Sequence, residues 1–246
     1  MSAAQNLLKF AWLEVTGLCN EFCDHCYADS SPKGTHGTMT VPDWKNTIDQ
    51  LSAMGARDVQ FIGGEPTLYP HLRELIEHAH GTGLEIEVFS NLTHIRNELW
   101  ETFAERGVKL ATSYYSDSAE DHDAMTQLRG SHKRTRANVE KALSLNIPLR
   151  GGVVAVREGQ RVQEAARDLT ALGVGTVGGD RTRAFGRAVR EPRRPSLTCA
   201  ATAPMRSAPS GRRGTCGPAS WDGSSPSAMC GKRRSARSGA AREWPR

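Results

Sequence analysis

Six short runs of β-branched, aliphatic and aromatic residues punctuate the chain from Phe10 onward: "FAWLEV" (10–15), "DVQFIGG" (58–64), "LEIEVFSN" (84–91), "VKLATSYY" (108–115), "LRGGVVAV" (149–156) and, more polar, "VGTVGG" (174–179). Each is the length of a strand rather than of a buried helix. Between them the apolar spacing changes to the helical period in "VPDWKNTIDQLSAMG" (41–55), "HLRELIEHAHGTG" (71–83), "ELWETFAERG" (98–107), "KRTRANVEKALSLN" (133–146) and "GQRVQEAARDLTALG" (159–173). In the second of these Leu72, Leu75, Ile76 and Ala79 share one face. Several of the stretches end on glycine, as helix C-caps do.

Strand and helix alternating at this spacing predict parallel strands joined by right-handed crossovers. Six such units predict an α/β fold, a partial (β/α)6 barrel of parallel strands. In that architecture the loops after the strands' C-terminal ends build the site. Three segments with unusual chemistry fall there: "CNEFCDHCY" (19–27) after the first strand, "GGEP" (63–66) after the second and "SNL" (90–92) after the third.

Composition divides the chain at the end of the last strand. At 246 residues it is long enough for one good-sized core. The net charge of +5 sits in the C-terminal segment: residues 191–246 hold 11 Lys and Arg against 3 Asp and Glu, which leaves the preceding 190 residues at −3. No basic stripe interleaved with aromatics occurs before that point, so specific nucleic-acid binding is not expected. The same 56 residues contain one Leu, no Ile, Val, Phe or Tyr, and 10 Arg, 9 Ser, 9 Ala, 7 Pro and 6 Gly. Such a segment cannot bury enough apolar surface to offset its chain entropy. The expected organisation is a folded unit over 1–188 and a low-complexity, disordered basic tail over 189–246. The first 15 residues, "MSAAQNLLKFAWLEV", carry an apolar run broken by Lys9, too short to span a membrane and without the marks of a secretory signal. A cytoplasmic protein without membrane association is expected, and there clustered cysteines point to metal or redox chemistry rather than disulfides.

Three of the six cysteines, Cys19, Cys23 and Cys26, fall within eight positions at CxxxCxxC spacing. Thiolates are the usual ligands of iron-sulfur clusters, and a four-iron cube held by three of them keeps one iron open. A Cys3His zinc site using His25, or a buried set of structural thiols, are the alternatives that the spacing leaves open.

The run "CNEFCDHCY", followed by "GGEP" after the next strand, resembles the radical S-adenosylmethionine (SAM) superfamily, over about residues 8–188. The C-N-x-x-C-x-H-C-Y form is that of its peptide- and protein-maturing branch. The resemblance implies a [4Fe-4S] cluster on Cys19, Cys23 and Cys26, with SAM chelating the open iron. It implies reductive cleavage of SAM to a 5′-deoxyadenosyl radical that abstracts hydrogen from a substrate, a peptide or protein side chain. A one-electron reductant of flavodoxin or ferredoxin type is the implied partner. Cofactor contacts are implied for His25 and Tyr27, for Gly63, Gly64, Glu65 and Pro66, for Ser90 and Asn91, and for Ser113. Glu65 would meet the ligand's ammonium, His25 the adenine, Ser90 and Asn91 the ribose, and Ser113 the carboxylate. Relatives place an "hD" pair next, here His122 and Asp123, with an arginine three residues on, where this chain has Thr126. The polar end of strand six, "DRTRAFGR" (180–187), offers arginines to a substrate. A small-molecule enzyme of the nucleotide-cyclase type and a catalytically impaired cluster-binding protein are the other readings.

The tail has a sharper reading as well. Shifting the frame across "GTCGPASWDGSSPSAMCGKRRSARSG" (214–239) permits, with suitable codons, "DVWPCVMGRFLPVGNVREAPLGEVW". That string resembles the "G-x-V-x-P-C … G-N-V … L-x-E-x-W" pattern of the cysteine-rich, SPASM-type C-terminal extension of such maturases. On this reading the tail is an out-of-frame remnant, and Cys199, Cys216 and Cys230 are not ligands.

Overall fold

The computed structural model describes residues 8–182 and 185–189. The predicted tail lies outside the described residues except for Val189, as does Arg183. Six strands, β1 (Phe10–Glu14), β2 (Asp58–Ile62), β3 (Glu85–Phe89), β4 (Lys109–Tyr114), β5 (Leu149–Ala155) and β6 (Thr176–Arg181), form one sheet in the order β1-β2-β3-β4-β5-β6. Every neighbouring pair is parallel. Helices α1 (Val41–Ala53), α2 (Leu72–Gly81), α3 (Asn97–Glu105), α4 (Ala119–Thr126), α5 (Ser131–Ser144) and α6 (Val162–Ala171) fill the crossovers, giving the expected open barrel with β1 and β6 at its edges.

Alternation along the strands explains the layers. Leu13, Val59, Phe61, Ile86, Val88 and Leu110 point to the helices and form the core with Ile48 of α1, Leu75 and Ile76 of α2, Leu99 and Phe103 of α3, and Leu169 of α6. The opposite, concave face is polar: Glu87 of β3 accepts a bidentate pair from Arg150 of β5 at 2.7 and 2.8 Å and a hydrogen bond from Gln60 of β2. Helix α1 starts where a capping box predicts it. Thr40 and Asp43 exchange hydrogen bonds, the Thr40 amide donating to Oδ2 at 2.8 Å, and Pro42 occupies the first turn.

Helix α4 was not expected, because its inward face is polar: the buried residues are His122, Met125 and Thr126. Polar contacts with the start of α5 hold it in place. The Asp123 carboxylate accepts from the His132 amide and the Ser131 hydroxyl, each at 2.9 Å, and from the Gly130 amide, so it caps the N-terminus of α5 from outside that helix.

Candidate functional site

Register delivers the first two loops to one place. Glu14 at the end of β1 pairs with Ile62 at the end of β2, and the Val15 amide donates to the Ile62 carbonyl at 3.1 Å. The cysteine loop leaves from there as an ordered segment. The Gly17 amide donates to Thr35 O at 2.8 Å, Cys19 N to Ser31 O at 3.0 Å, Phe22 N to Thr126 O at 3.0 Å and Cys26 N to Cys23 O at 3.1 Å. Cys19, Cys23 and Cys26 are free thiols, the first two buried and the third partly so.

The "GGEP" segment packs on this loop, backbone to backbone. Gly64 N donates to Thr16 O at 2.6 Å and Glu65 N to Leu18 O at 2.8 Å. Gly63 has φ 145°, and a Cβ on Gly63 or Gly64 would overlap the carbonyls of Thr16 or Leu18. The glycines expected as cofactor contacts make room first for the cysteine loop. Pro66 opens a single 3₁₀ turn, Pro66–Leu68, with Glu65 as its cap.

Glu65 is fully buried and ties three loops together. Its Oε1 accepts from Thr67 N (3.0 Å), Thr67 Oγ1 (2.6 Å) and Ser90 Oγ (2.8 Å), and its Oε2 from Asn91 N (2.8 Å). Burial raises its pKa, and these four donors oppose the rise. Asn91 reaches the cysteine loop itself, its Nδ2 donating to Asn20 Oδ1 at 2.8 Å and lying 3.9 Å from Cys19 Sγ. The next residue, Leu92, is buried at φ 56°, a conformation that costs a side-chain-bearing residue energy. Asn138 of α5 holds it there by donating to the Leu92 carbonyl at 2.7 Å.

At the end of β4, Tyr115 is buried with a raised pKa, caused first by desolvation and opposed by Ser113, two residues earlier on the same face. The His25 ring meets the Tyr115 ring edge-on at 4.7 Å between centroids. His25 Nδ1 is buried without a hydrogen-bond partner, and burial lowers the ring's pKa to about 4, so it is neutral at pH 7. Tyr27 is exposed at the loop's outer surface. The structure therefore gathers Cys19, Cys23, Cys26, His25, Gly63, Gly64, Glu65, Pro66, Ser90, Asn91 and Ser113 around the C-terminal ends of β1 to β4.

The donor chemistry fits a cationic iron-sulfur cluster. Burial pushes the Cys19 thiol up to about 12, with the Glu21 amide opposing the rise and Glu65 adding to it, and pushes the Cys23 thiol further, with Glu21 and the neighbouring thiols adding. Three thiolates can share so dry a loop only if something there brings positive charge. Among the described residues no three His, Cys, Asp or Glu side chains are grouped to hold a single metal ion. A four-iron cube does not ask for that, because each thiolate takes a different iron. The orphaned His25 nitrogen beside the thiols is a further place for a ligand's polar edge.

Two residues of the site carried no sequence signal. Glu21 is buried between the cysteines, accepts from Cys23 Sγ at 3.4 Å, and has its pKa raised to about 8, first by burial. Arg134, in the first turn of α5, is close enough to oppose that rise. Thr126, standing where relatives have an arginine, instead shares a buried hydrogen bond with Ser131 at 2.7 Å.

Parallel strands whose C-terminal loops converge on three free thiols define an α/β scaffold with a cluster-type ligand set at the mouth of its barrel. Residues 13–169 match the Radical SAM superfamily model, and the chain belongs to that superfamily. The family is one of enzymes whose cofactors are SAM and a [4Fe-4S] cluster. The chain is 30% identical over 149 residues to the AdoMet-dependent heme synthase of Methanosarcina barkeri, a match covering 60% of this chain and 43% of the relative. It is 31% identical over 127 residues to the antilisterial bacteriocin subtilosin biosynthesis protein AlbA of Bacillus subtilis, covering 51% and 28%. The fold matches Streptococcus suis SuiB bound to precursor peptide SuiA with TM-score 0.65 at 14% identity, over 72% of this chain and 40% of that one. The chain thus spans less than half the length of these relatives. Among the described residues no helix is long and apolar enough to cross a membrane.

Proposed function

We propose that Cys19, Cys23 and Cys26 each ligate one iron of a [4Fe-4S] cluster, and that the fourth iron is left for SAM. The substrate is read as the side chain of a ribosomal peptide or protein. The observation that carries this is the loop of three free thiols to which the loops after β2 and β3 are hydrogen-bonded. When bound, the cofactors would supply one-electron reductive cleavage of the sulfonium, fed by a flavodoxin- or ferredoxin-type reductant, for abstraction of a substrate hydrogen.

The protein's share is to bind, orient and exclude water. Glu65 Oε1 is saturated by three donors, so Oε2, with one, is the oxygen able to accept from the cofactor's ammonium. His25, neutral and with Nδ1 unpaired, offers the adenine a ring and a hydrogen bond. Ser90 and Asn91 stand for the ribose. Ser113 stands for the carboxylate, and the exposed Tyr27 completes the set of cofactor contacts. Gly63, Gly64 and Pro66 set the backbone that carries Glu65.

The peptide reading draws support from the likeness to AlbA and to SuiB, which was crystallised with its precursor peptide. The 30% identity to a heme synthase favours a second reading, a tetrapyrrole substrate. Protein reconstituted anaerobically with iron and sulfide, then reduced with dithionite, should release 5′-deoxyadenosine from SAM, and the Cys19→Ala/Cys23→Ala/Cys26→Ala variant should release none. A fully loaded wild-type protein that leaves SAM intact would refute the cleavage. Faster release on adding precursor peptide, but not an iron porphyrin, would favour the first substrate class over the second.

A further inference from the structure

Sheet pairing ties β1 to β6 only through the four strands between them. Beyond β6, however, the chain returns to the cysteine loop as a single turn, Gly186–Ala188, and meets it with unusual density. The Arg187 amide donates to Cys26 O at 2.9 Å. Its guanidinium donates from Nε to Cys23 O at 3.0 Å, from Nη1 to Asp29 Oδ1 at 2.8 Å and from Nη2 to Ser30 O. The same group lies over the Phe22 ring, 4.3 Å from its centroid, and the side chain is only 16% exposed. Gly186, at φ 56°, permits the approach, since a Cβ there would overlap the carbonyls of Cys26 and Tyr27.

We propose that Gly186 and Arg187 are a latch that closes the open side of the sheet onto the cysteine loop and fixes where Cys23 and Cys26 present their thiols. Arg187 is then a positioning residue for the cluster rather than a substrate contact, because all three of its side-chain nitrogens are already engaged by residues 23–30. The acceptors lie in three directions around one plane, which a guanidinium fork matches and a lysine ammonium on its flexible stem does not. A fixed cation beside the ligand loop also favours the more negative, reduced state of whatever the thiols hold.

The role of the thiols as cluster ligands is assumed from the proposed function, so the test separates the two. In the apo protein, backbone hydrogen exchange over residues 19–31 should accelerate at least about tenfold in Arg187→Gln, the equivalent of one charge-assisted hydrogen bond. Arg187→Lys should fall between it and wild type, and Gly186→Ala, which leaves the arginine intact, should behave like Arg187→Gln. In loaded protein, Arg187→Gln should lose iron to a chelator faster and show a lower midpoint potential. Exchange and iron loss equal to wild type in both Arg187→Gln and Gly186→Ala would overturn the latch. Faster exchange in a protein whose wild type takes up no iron would support the latch and sink the cluster reading instead.

Discussion

Glu65 shows how much one side chain can be asked to do. Its carboxylate is buried and accepts four hydrogen bonds, from Thr67 twice, Ser90 and Asn91, which join the loops after β2 and β3. Charge-assisted bonds of this kind are worth roughly 1.5–3 kcal/mol each when a partner is left buried and unpaired. Glu65→Ala should therefore lower the unfolding free energy by at least about that amount, besides weakening SAM binding. Urea unfolding and a SAM titration read the two effects separately, and a variant with wild-type stability would remove Glu65 from its structural place. Its position in "GGEP" was legible in the sequence as a motif, but its partners were not, because Ser90 and Asn91 lie 25 and 26 residues away. The same holds for Gly64, whose need for glycine comes from the Leu18 carbonyl and is invisible without the fold.

Among the described elements, all six strands and five of the helices were legible as short apolar runs alternating with stretches of helical period, most weakly β6, none of whose residues is buried. Helix α4 escaped that reading because it buries His122 and Thr126 and is fixed by polar contacts. Its contribution is open to test through Asp123. Burial would raise this carboxyl, yet the hydrogen bonds from His132, Gly130 and Ser131 outweigh it and hold the pKa below the ordinary carboxylate value. A group depressed on folding stabilises the folded state above its unfolded value of about 3.9, and that stability is lost as pH falls through the folded pKa. Asp123→Asn should cost about 1 kcal/mol at pH 6, as a lost helix cap does. The gap to wild type should narrow as pH falls below about 4, as judged by urea midpoints. A gap that stays constant with pH would show that the charge is not what holds the α4–α5 junction.

At the scale of the molecule, the cysteine spacing made the chemistry legible, while the closure of the barrel was not. Arg187 and Cys23 are 164 residues apart, and nothing local in "FGR" announces that partner. The latch ends at Ala188, close to where the composition changes. The out-of-frame reading of the residues beyond it stands as a proposal, checked by the codons from 185 onward. The measurement that bears most directly on the site is metal content after anaerobic reconstitution, made on wild type and on the Cys19→Ala/Cys23→Ala/Cys26→Ala variant. The expected result is about four irons per wild-type chain and none in the variant, with a reduced-state electron paramagnetic resonance signal that changes when SAM is added. Stoichiometric zinc in the wild type, with no uptake of iron, would contradict it.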